Sequence, residues 1–267
     1  MRIRRQVIIA AAAGAAGLVA IGLLVFASQQ GVFGGKTQQL LTQASRAEQQ
    51  DNLPEAQAMY QMLLERFPDS PLLTQAQLKL GDLNVALLFS PIVTDRDGVH
   101  QVQSGDTLGR IASFSHTTVE FIRRANGLKG DVIRAEQRLK VPKGTFSIVV
   151  DKSQNQLLLT EDNEFVKLYD VSTGKDNSTP VGTFKITNRI PNPVWYRQGA
   201  VVPPESPENV LGTRWLGINQ KGYGIHGTVE PEAIGEQVTA GCVRMTNADV
   251  EELFDIVPVG TEVTIVD

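Results

Sequence analysis

A thiol and an imidazole stand near the C-terminus with residues 227 to 241 between them, in Tyr223-Gly-Ile-His-Gly-Thr228 and Thr239-Ala-Gly-Cys-Val-Arg-Met245. Cys242 is the single cysteine of the chain, and His226 is the only histidine after position 116. A free cysteine, with a pKa of about 8.5, is only a few per cent thiolate at neutral pH, so a base must take its proton before it attacks a carbonyl. One nucleophile and one general base are therefore available. Both are flanked by glycines, which let backbone approach a substrate closely. A lone cysteine is more often a small buried hydrophobe, and a lone histidine a satisfied core residue. Here the spacing and the neighbours favour chemistry.

The elements that must carry these two groups begin at Phe146. Phe146-Ser-Ile-Val-Val-Asp151, Gln156-Leu-Leu-Leu-Thr160 and Phe165 to Val171 are β-rich runs separated by polar turns, and they predict a meander. Thr179-Pro-Val-Gly-Thr-Phe184 predicts a turn entering a strand over 184–188. The Pro- and Gly-containing stretch from Ile190 to Gly212 is long enough to be a functional lid. Val250, Leu253, Phe254 and Val257 fall at i, i+3, i+4 and i+7 behind Asp249, Glu251 and Glu252, which predicts one amphipathic helix stopped by Pro258 and Gly260. A last strand follows over 261–266. The expectation is a mostly-β domain over 146–267 with one helix.

The order His226, Cys242, Arg244 departs from the papain-like arrangement, where the thiol comes first in the chain. It resembles instead the L,D-transpeptidase (YkuD-family) catalytic domain, whose mark is a histidine followed by [S/T]-x-G-C-[IV]-R; Thr239-Ala-Gly-Cys-Val-Arg244 fits. Thr179-Pro-x-Gly-x-Phe184, Leu211-Gly-Thr-Arg-Trp215, Ile225-His-Gly-Thr228 and Asn247-x-Asp249 also match. Ala240 departs from members that carry a second histidine there, which alters contacts near the thiol and leaves the chemistry in place. The resemblance implies a cysteine-dependent acyl transfer on peptidoglycan stem tetrapeptides through a thioester. The products would be 3→3 cross-links or other amine adducts. Alternatives are an L,D-carboxypeptidase, in which water replaces the amine, and a catalytically silent peptidoglycan-binding scaffold. The resemblance assigns Cys242 as nucleophile and His226 as base oriented by the Gly227 carbonyl, with the N–H groups of Gly241 and Cys242 as the oxyanion site. Arg244 is a candidate for a substrate carboxylate, with a structural ion pair as its other reading. Thr239 either bonds substrate or shapes the turn. Tyr223, Trp195 and Trp215 are candidate cleft walls or core aromatics. No metal or other cofactor is expected, since three scattered histidines and one cysteine give no ligand spacing.

Upstream, residues 98–143 carry Val-x-Ser-Gly-Asp-Thr-Leu108, then Ile-Ala, Thr-Val, Ala-Asn-x-Leu and Gln-x-Leu-x-Val-Pro142. Asp106 or Thr107 is placed to cap a first helix, and Thr117-Thr-Val-Glu120 reads as a capping box opening a second, closed by Asn126-Gly127. This pattern resembles a LysM module, which implies a βααβ fold and binding to glycans containing N-acetylglucosamine. By position the glycan-binding residues would be Gly105, Asp106, Thr107 and Leu108, with Asp131, Val132 and Ile133; His100 and His116 read as framework or surface.

Residues 36–90 have helical spacing, and Pro54 to Pro71 resembles a tetratricopeptide-type hairpin. One and a half repeats fall short of the three an independent solenoid needs. The segment is read as a stalk or self-association element, with a platform for a protein partner as the alternative. Residues 1–35 hold three arginines among the first five residues, the uncharged run Val7–Phe26 and a Gln/Gly linker from Gln29 to Gly35. At roughly 1.5 Å per residue that run spans about 30 Å, the thickness of a bilayer core. Arginines on its N-terminal side orient the remainder outward, into the periplasm or cell-wall space. A single-pass membrane anchor is favoured by length over a cleaved signal peptide. A net charge of −4 without a basic tract after the first residues gives a nucleic-acid role no support. The fold class expected is therefore multidomain: transmembrane helix, α-helical hairpin spacer, βααβ LysM module, and mostly-β catalytic domain.

Overall fold

The computed structural model describes residues 30–197 and 199–267. They divide into two compact units: residues up to Phe89 with the segment Asn163–Lys167, and Ser90–Asp162 with Leu168–Asp267.

In the first unit, three helices, α1 (Gln30–Gln49), α2 (Leu53–Arg66) and α3 (Leu73–Leu88), succeed one another. Their core joins Leu41, Ala44, Ala47, Ala56, Tyr60, Leu63 and Leu80. Alanines at the contacts allow close approach of the helix axes, and each fully buried leucine contributes about 1.5–3 kcal/mol. Tyr60 lies at the centre and donates to Glu48 Oε1 at 2.5 Å. Burial, reinforced by that carboxylate, pushes its phenol up to about 12. Pro54 falls in the first turn of α2, where its missing N–H costs no bond. The expected linker over 29–35 is helical over 30–35. Three glycines, Gly31, Gly34 and Gly35, at about 1 kcal/mol each are outweighed by continuation from a packed helix. Among the described residues no helix is long and apolar enough to cross a membrane; the run expected to do so, Val7–Phe26, lies outside them.

The second unit opens with β1 (Asp97–Gln101), α4 (Leu108–Phe114), α5 (Val119–Ala125) and β2 (Arg138–Pro142), the βααβ order expected. β1 and β2 pair antiparallel from Asp97↔Pro142 to Gln101↔Arg138. Val102, Leu108, Ile111, Ala112, Ile122, Leu139 and Val141 form its core. Thr107 caps α4 by accepting from Arg110 N at 3.2 Å, and Thr118 caps α5 by accepting from Phe121 N at 2.8 Å. The capping box expected at Thr117 is thus displaced by one residue. Glu120 faces outward to Arg189 at 3.2 Å instead of turning back to the cap. Lys140 is buried, with Nζ on Asp97 Oδ2 at 3.3 Å and on the carbonyls of Ser90 and Ile92 at 3.1 and 2.7 Å. It fastens the segment entering β1, and desolvation holds its ammonium below the usual range despite Asp97.

The rest of this unit is built on an eight-stranded sheet. Its strands are β3 (Phe146–Asp151), β4 (Gln156–Glu161), β5 (Glu164–Asp170), β7 (Gly182–Pro191), β10 (Arg214–Ile218), β11 (Gly224–His226), β13 (Val243–Arg244) and β14 (Glu262–Val266), in the order β13-β11-β10-β7-β14-β3-β4-β5. β14 runs parallel to β3 and antiparallel to β7, so the last strand of the chain joins the two halves of the sheet. β6 (Thr173–Gly174) pairs with β12 (Gln237–Thr239) outside it. The expected lid contains a short hairpin, β8 (Trp195–Arg197) and β9 (Ala200–Val202), on which Tyr196 and Val201 form an exposed cross-strand pair. α6 (Asn247–Ile256) buries Val250, Leu253, Phe254 and Ile256, and Thr246 caps it by accepting from Asp249 N.

The βααβ module is fixed to the sheet domain through α5 and α6. Arg124 meets Asp255 at 2.8 Å, and Thr118 Oγ1 donates to the Asp255 carbonyl. Phe121 packs against Phe146. Arg189, on β7, bonds the Phe254 carbonyl at 2.7 Å and lies 4.0 Å over the Phe254 ring while holding Glu120.

Candidate active site

Parallel pairing of β11 with β13 sets the register Ile225↔Val243 and His226↔Arg244. The loop entering β13 therefore carries Cys242 alongside the turn that enters β11. Its sulfur lies 3.6 Å from the Gly222 carbonyl, and the Gly224 N–H bonds it. Gly224 is two residues before His226, so the backbone that bonds the sulfur leads directly into the strand bearing the imidazole.

His226 is 4% exposed. Its Nδ1 donates to the Gly227 carbonyl at 2.6 Å, which leaves Nε2 as the acceptor nitrogen. Trp215, its cross-strand neighbour, stacks on the imidazole at 5.9 Å between centroids and 18° between planes. Burial pushes the imidazolium down to about 4; the Gly227 carbonyl opposes this, and the Arg244 guanidinium adds to it. Burial also pushes the Cys242 thiol above its ordinary value, against the Gly224 N–H and Arg244, which pull it down. At neutral pH the thiol is protonated and the imidazole is neutral.

The turn bearing the thiol is braced by Thr239, whose Oγ1 accepts from Gly241 N at 3.1 Å and donates to the Cys242 carbonyl at 2.6 Å. Both bonds of the Thr239 hydroxyl lie within its own turn. They also commit the Gly241 N–H, one of the two donors expected for an oxyanion, to Thr239. Gly241 has φ +124°, and a Cβ there would lie 2.6 Å from the Tyr223 ring and 3.2 Å from the Ser178 carbonyl. Tyr223 thus packs on the nucleophile turn. From below, Gly174 comes so close that a Cβ on it would stand 2.9 Å from Gly241 Cα, and Thr179 Oγ1 accepts the Gly174 N–H.

A model of the L,D-transpeptidase catalytic domain matches residues 145–265, and one of the LysM domain matches residues 100–142. A putative L,D-transpeptidase YqjB of Bacillus subtilis is 42% identical over 126 residues, 45% of this chain and 70% of the relative. A putative L,D-transpeptidase YkuD of Bacillus licheniformis is 38% identical over 175 residues, 62% of this chain and 98% of the relative. The chain belongs to the L,D-transpeptidase family. An L,D-transpeptidase structure from Mycobacterium tuberculosis superposes with a TM-score of 0.41 at 16% identity, over 51% of this chain and 75% of that one.

In this L,D-transpeptidase, Arg244 is 9% exposed, its Nη1 pairs with Glu230 Oε2 at 3.2 Å, and its Nε is buried without a hydrogen-bond partner. Arg244 thus carries an ion pair at Nη1 and an uncommitted donor at Nε. Glu230 was not legible as a partner, because nothing in its local sequence distinguishes it from other exposed glutamates. In the LysM module Gly105 has φ +87° with open space where a Cβ would be. Asp106 accepts from Gln103 N at 2.9 Å and from His100 at 2.8 Å, bonds that hold its carboxyl below the usual range. Leu108 is 3% exposed and belongs to the module core, so its side chain is not available to a glycan; its apolar type at a helix start already served packing. Ile133 packs on the same core, while Asp131 and Val132 are exposed, Asp131 lying 3.4 Å from Arg123.

Proposed function

We propose that this chain is a peptidoglycan L,D-transpeptidase working by cysteine acyl transfer. The observation that carries the reading is the oriented imidazole, with Nδ1 tied to Gly227 and Nε2 left as base, on the strand that follows the turn contacting the sulfur. Cys242 Sγ attacks the carbonyl of the third stem-peptide residue as its proton passes to His226 Nε2. The carbon–sulfur bond forms, the oxygen charge meets the Cys242 N–H, and collapse breaks the carbon–nitrogen bond. The proton on Nε2 leaves with the terminal D-alanine. In the second half an amine gives its proton to Nε2 and attacks the thioester. The new carbon–nitrogen bond forms, carbon–sulfur breaks, and the thiol regains its proton. Arg244, with its Nε uncommitted, is suited to a stem-peptide carboxylate that competes with Glu230.

The LysM module supports glycan binding through Gly105, Asp106 and Thr107 with Asp131 and Val132, and it concentrates stem peptides near the thiol. The N-terminal anchor, an extracytoplasmic location, and a stalk role for the tetratricopeptide-like helices with or without a protein partner complete the reading. Membrane retention after high-salt and carbonate washing tests the anchor; full release without detergent rejects it.

Two measurements test the chemistry. Disaccharide-tetrapeptide incubated with the enzyme is expected to give cross-linked dimers; tripeptide alone would replace transpeptidase by carboxypeptidase. A carbapenem is expected to add one covalent mass to wild type and none to Cys242→Ala. A folded wild type with neither adduct nor product would leave the silent scaffold.

A further inference from the structure

We propose that Asn247 is a positioning residue for this acyl transfer, acting on His226 through the Gly227–Thr228 peptide. The proposal rests on the function above and concerns a residue outside the reacting pair. Asn247 Oδ1 accepts from the Thr228 N–H and the Thr213 N–H, each at 3.1 Å. The Thr228 N–H and the Gly227 carbonyl are two ends of one planar peptide unit. In a trans peptide these ends point in opposite directions, so the bond to Asn247 aims the carbonyl away from α6. There it accepts from His226 Nδ1 at 2.6 Å. The resulting relay, imidazole N–H to carbonyl and peptide N–H to amide oxygen, is polarised along its length. It selects the tautomer in which Nε2 carries the free lone pair.

The space around Oδ1 is built for this contact. A Cβ on Gly227 or on Gly212 would stand 2.2 Å from that oxygen, so both glycines are what allow the amide to reach two backbone donors. Asn247 is the first residue of α6, whose start is fixed by the Thr246 cap and whose buried face anchors it. The Thr213 bond ties the exit of the 190–212 segment to the same oxygen. One amide thus holds the peptide that orients the base and the end of the loop beside it.

The test compares Asn247→Ala, Asn247→Asp and Asn247→Ser in the full chain. Aspartate keeps an acceptor at the same reach, alanine removes it, and serine is too short to span both donors. Each variant is assayed for kcat and KM on disaccharide-tetrapeptide with an amine acceptor. The His226 tautomer is read separately from its ring-nitrogen NMR shifts. Asn247→Ala is expected to lower kcat on the order of 100-fold, the cost of about 1 Å of misplacement at a reacting group. KM should change little, and the NMR spectrum should show mixed tautomers in place of one. Asn247→Asp should restore kcat to near wild type. Should the alanine variant not fold, serine takes its place with the same expectation. The proposal is overturned by a kcat within twofold of wild type in the alanine or serine variant, by a loss confined to KM, or by an unchanged tautomer. Because the tautomer is measured without substrate, its failure is distinguishable from failure of the transpeptidase reading itself.

Discussion

The electrostatics of the pair lead to a pH profile that an ordinary cysteine–histidine pair would not show. Burial holds His226 near 4, and Cys242 is raised above its usual value. The reactive form carries one transferable proton, on the thiol at rest, so acylation falls on the acid side only as the imidazole takes up a second. With a pKa of about 4, about 90% of the imidazole is neutral at pH 5, against about 3% for an unperturbed histidine at about 6.5. The rate of β-lactam acylation at pH 5 should therefore be about 0.9 of that at pH 7, whereas an exposed imidazole would leave about 0.04. The assay is stopped-flow or mass-resolved acylation of wild type between pH 3.5 and 9. The thiolate absorbance difference between wild type and Cys242→Ala reports the resting state. An acid limb centred near 6.5, or one full thiolate at pH 7, would refute the argument that burial sets both pKa values.

The same burial makes folding pH-dependent. His226 binds its proton in the unfolded chain at about 6.5 and in the fold only near 4, so its neutral form favours the fold above 6.5 and that stability is lost as pH falls toward 4. The loss is about 2–3 kcal/mol by pH 4.5; chemical denaturation at pH 7.5 and 4.5 should show it in wild type, with that component absent in His226→Gln. Gly241→Ala puts a Cβ against Tyr223 at φ +124° and should cost about 1–3 kcal/mol of strain with acylation reduced on the order of 100-fold; acylation within threefold of wild type would count against the packing described. Arg189→Ala removes the pair to Glu120, the bond to the Phe254 carbonyl and the contact with its ring, and should destabilise the second unit by about 2 kcal/mol in denaturant titration.

The pattern of what the sequence revealed has a physical basis. The strands at Phe146 and Gln156, and the helix carrying Val250, Leu253 and Phe254, were legible because periodic burial leaves a periodic mark. Cys242 and His226 were legible because each is the sole residue of its type in the domain, and the motif around them fits a family. What escaped were relations between distant backbone segments. Thr239 could be read as substrate contact or brace until its hydroxyl was found between Gly241 N and the Cys242 carbonyl. Leu108 matched a binding position, yet apolar residues at a helix start are equally what a core requires. The one-residue shift of the α5 cap was hidden because Thr117 and Thr118 offer the same hydroxyl, and only contacts with distant segments, Thr118 with the Asp255 carbonyl and Glu120 with Arg189, distinguish them.

A nucleophile kept protonated beside an uncharged base looks unreactive, and the chemistry explains why it is not. Thiolate is the form that oxidants and stray electrophiles attack, so a raised thiol pKa protects a sulfur that has no second cysteine in the chain to pair with. Ion-pair formation at rest would place an imidazolium in a site where burial and Arg244 both disfavour it. During attack the same proton transfer is accompanied by movement of negative charge from sulfur to the carbonyl oxygen, and the imidazolium is drawn to the developing tetrahedral centre. The environment that penalises the separated ions at rest thus penalises them less as the carbon–sulfur bond forms, because the charge is no longer localised on sulfur. That difference between ground and transition state is what accelerates a reaction. It requires the imidazole to be held in one orientation throughout, since a neutral ring free to turn would present Nδ1–H to the thiol and could accept nothing.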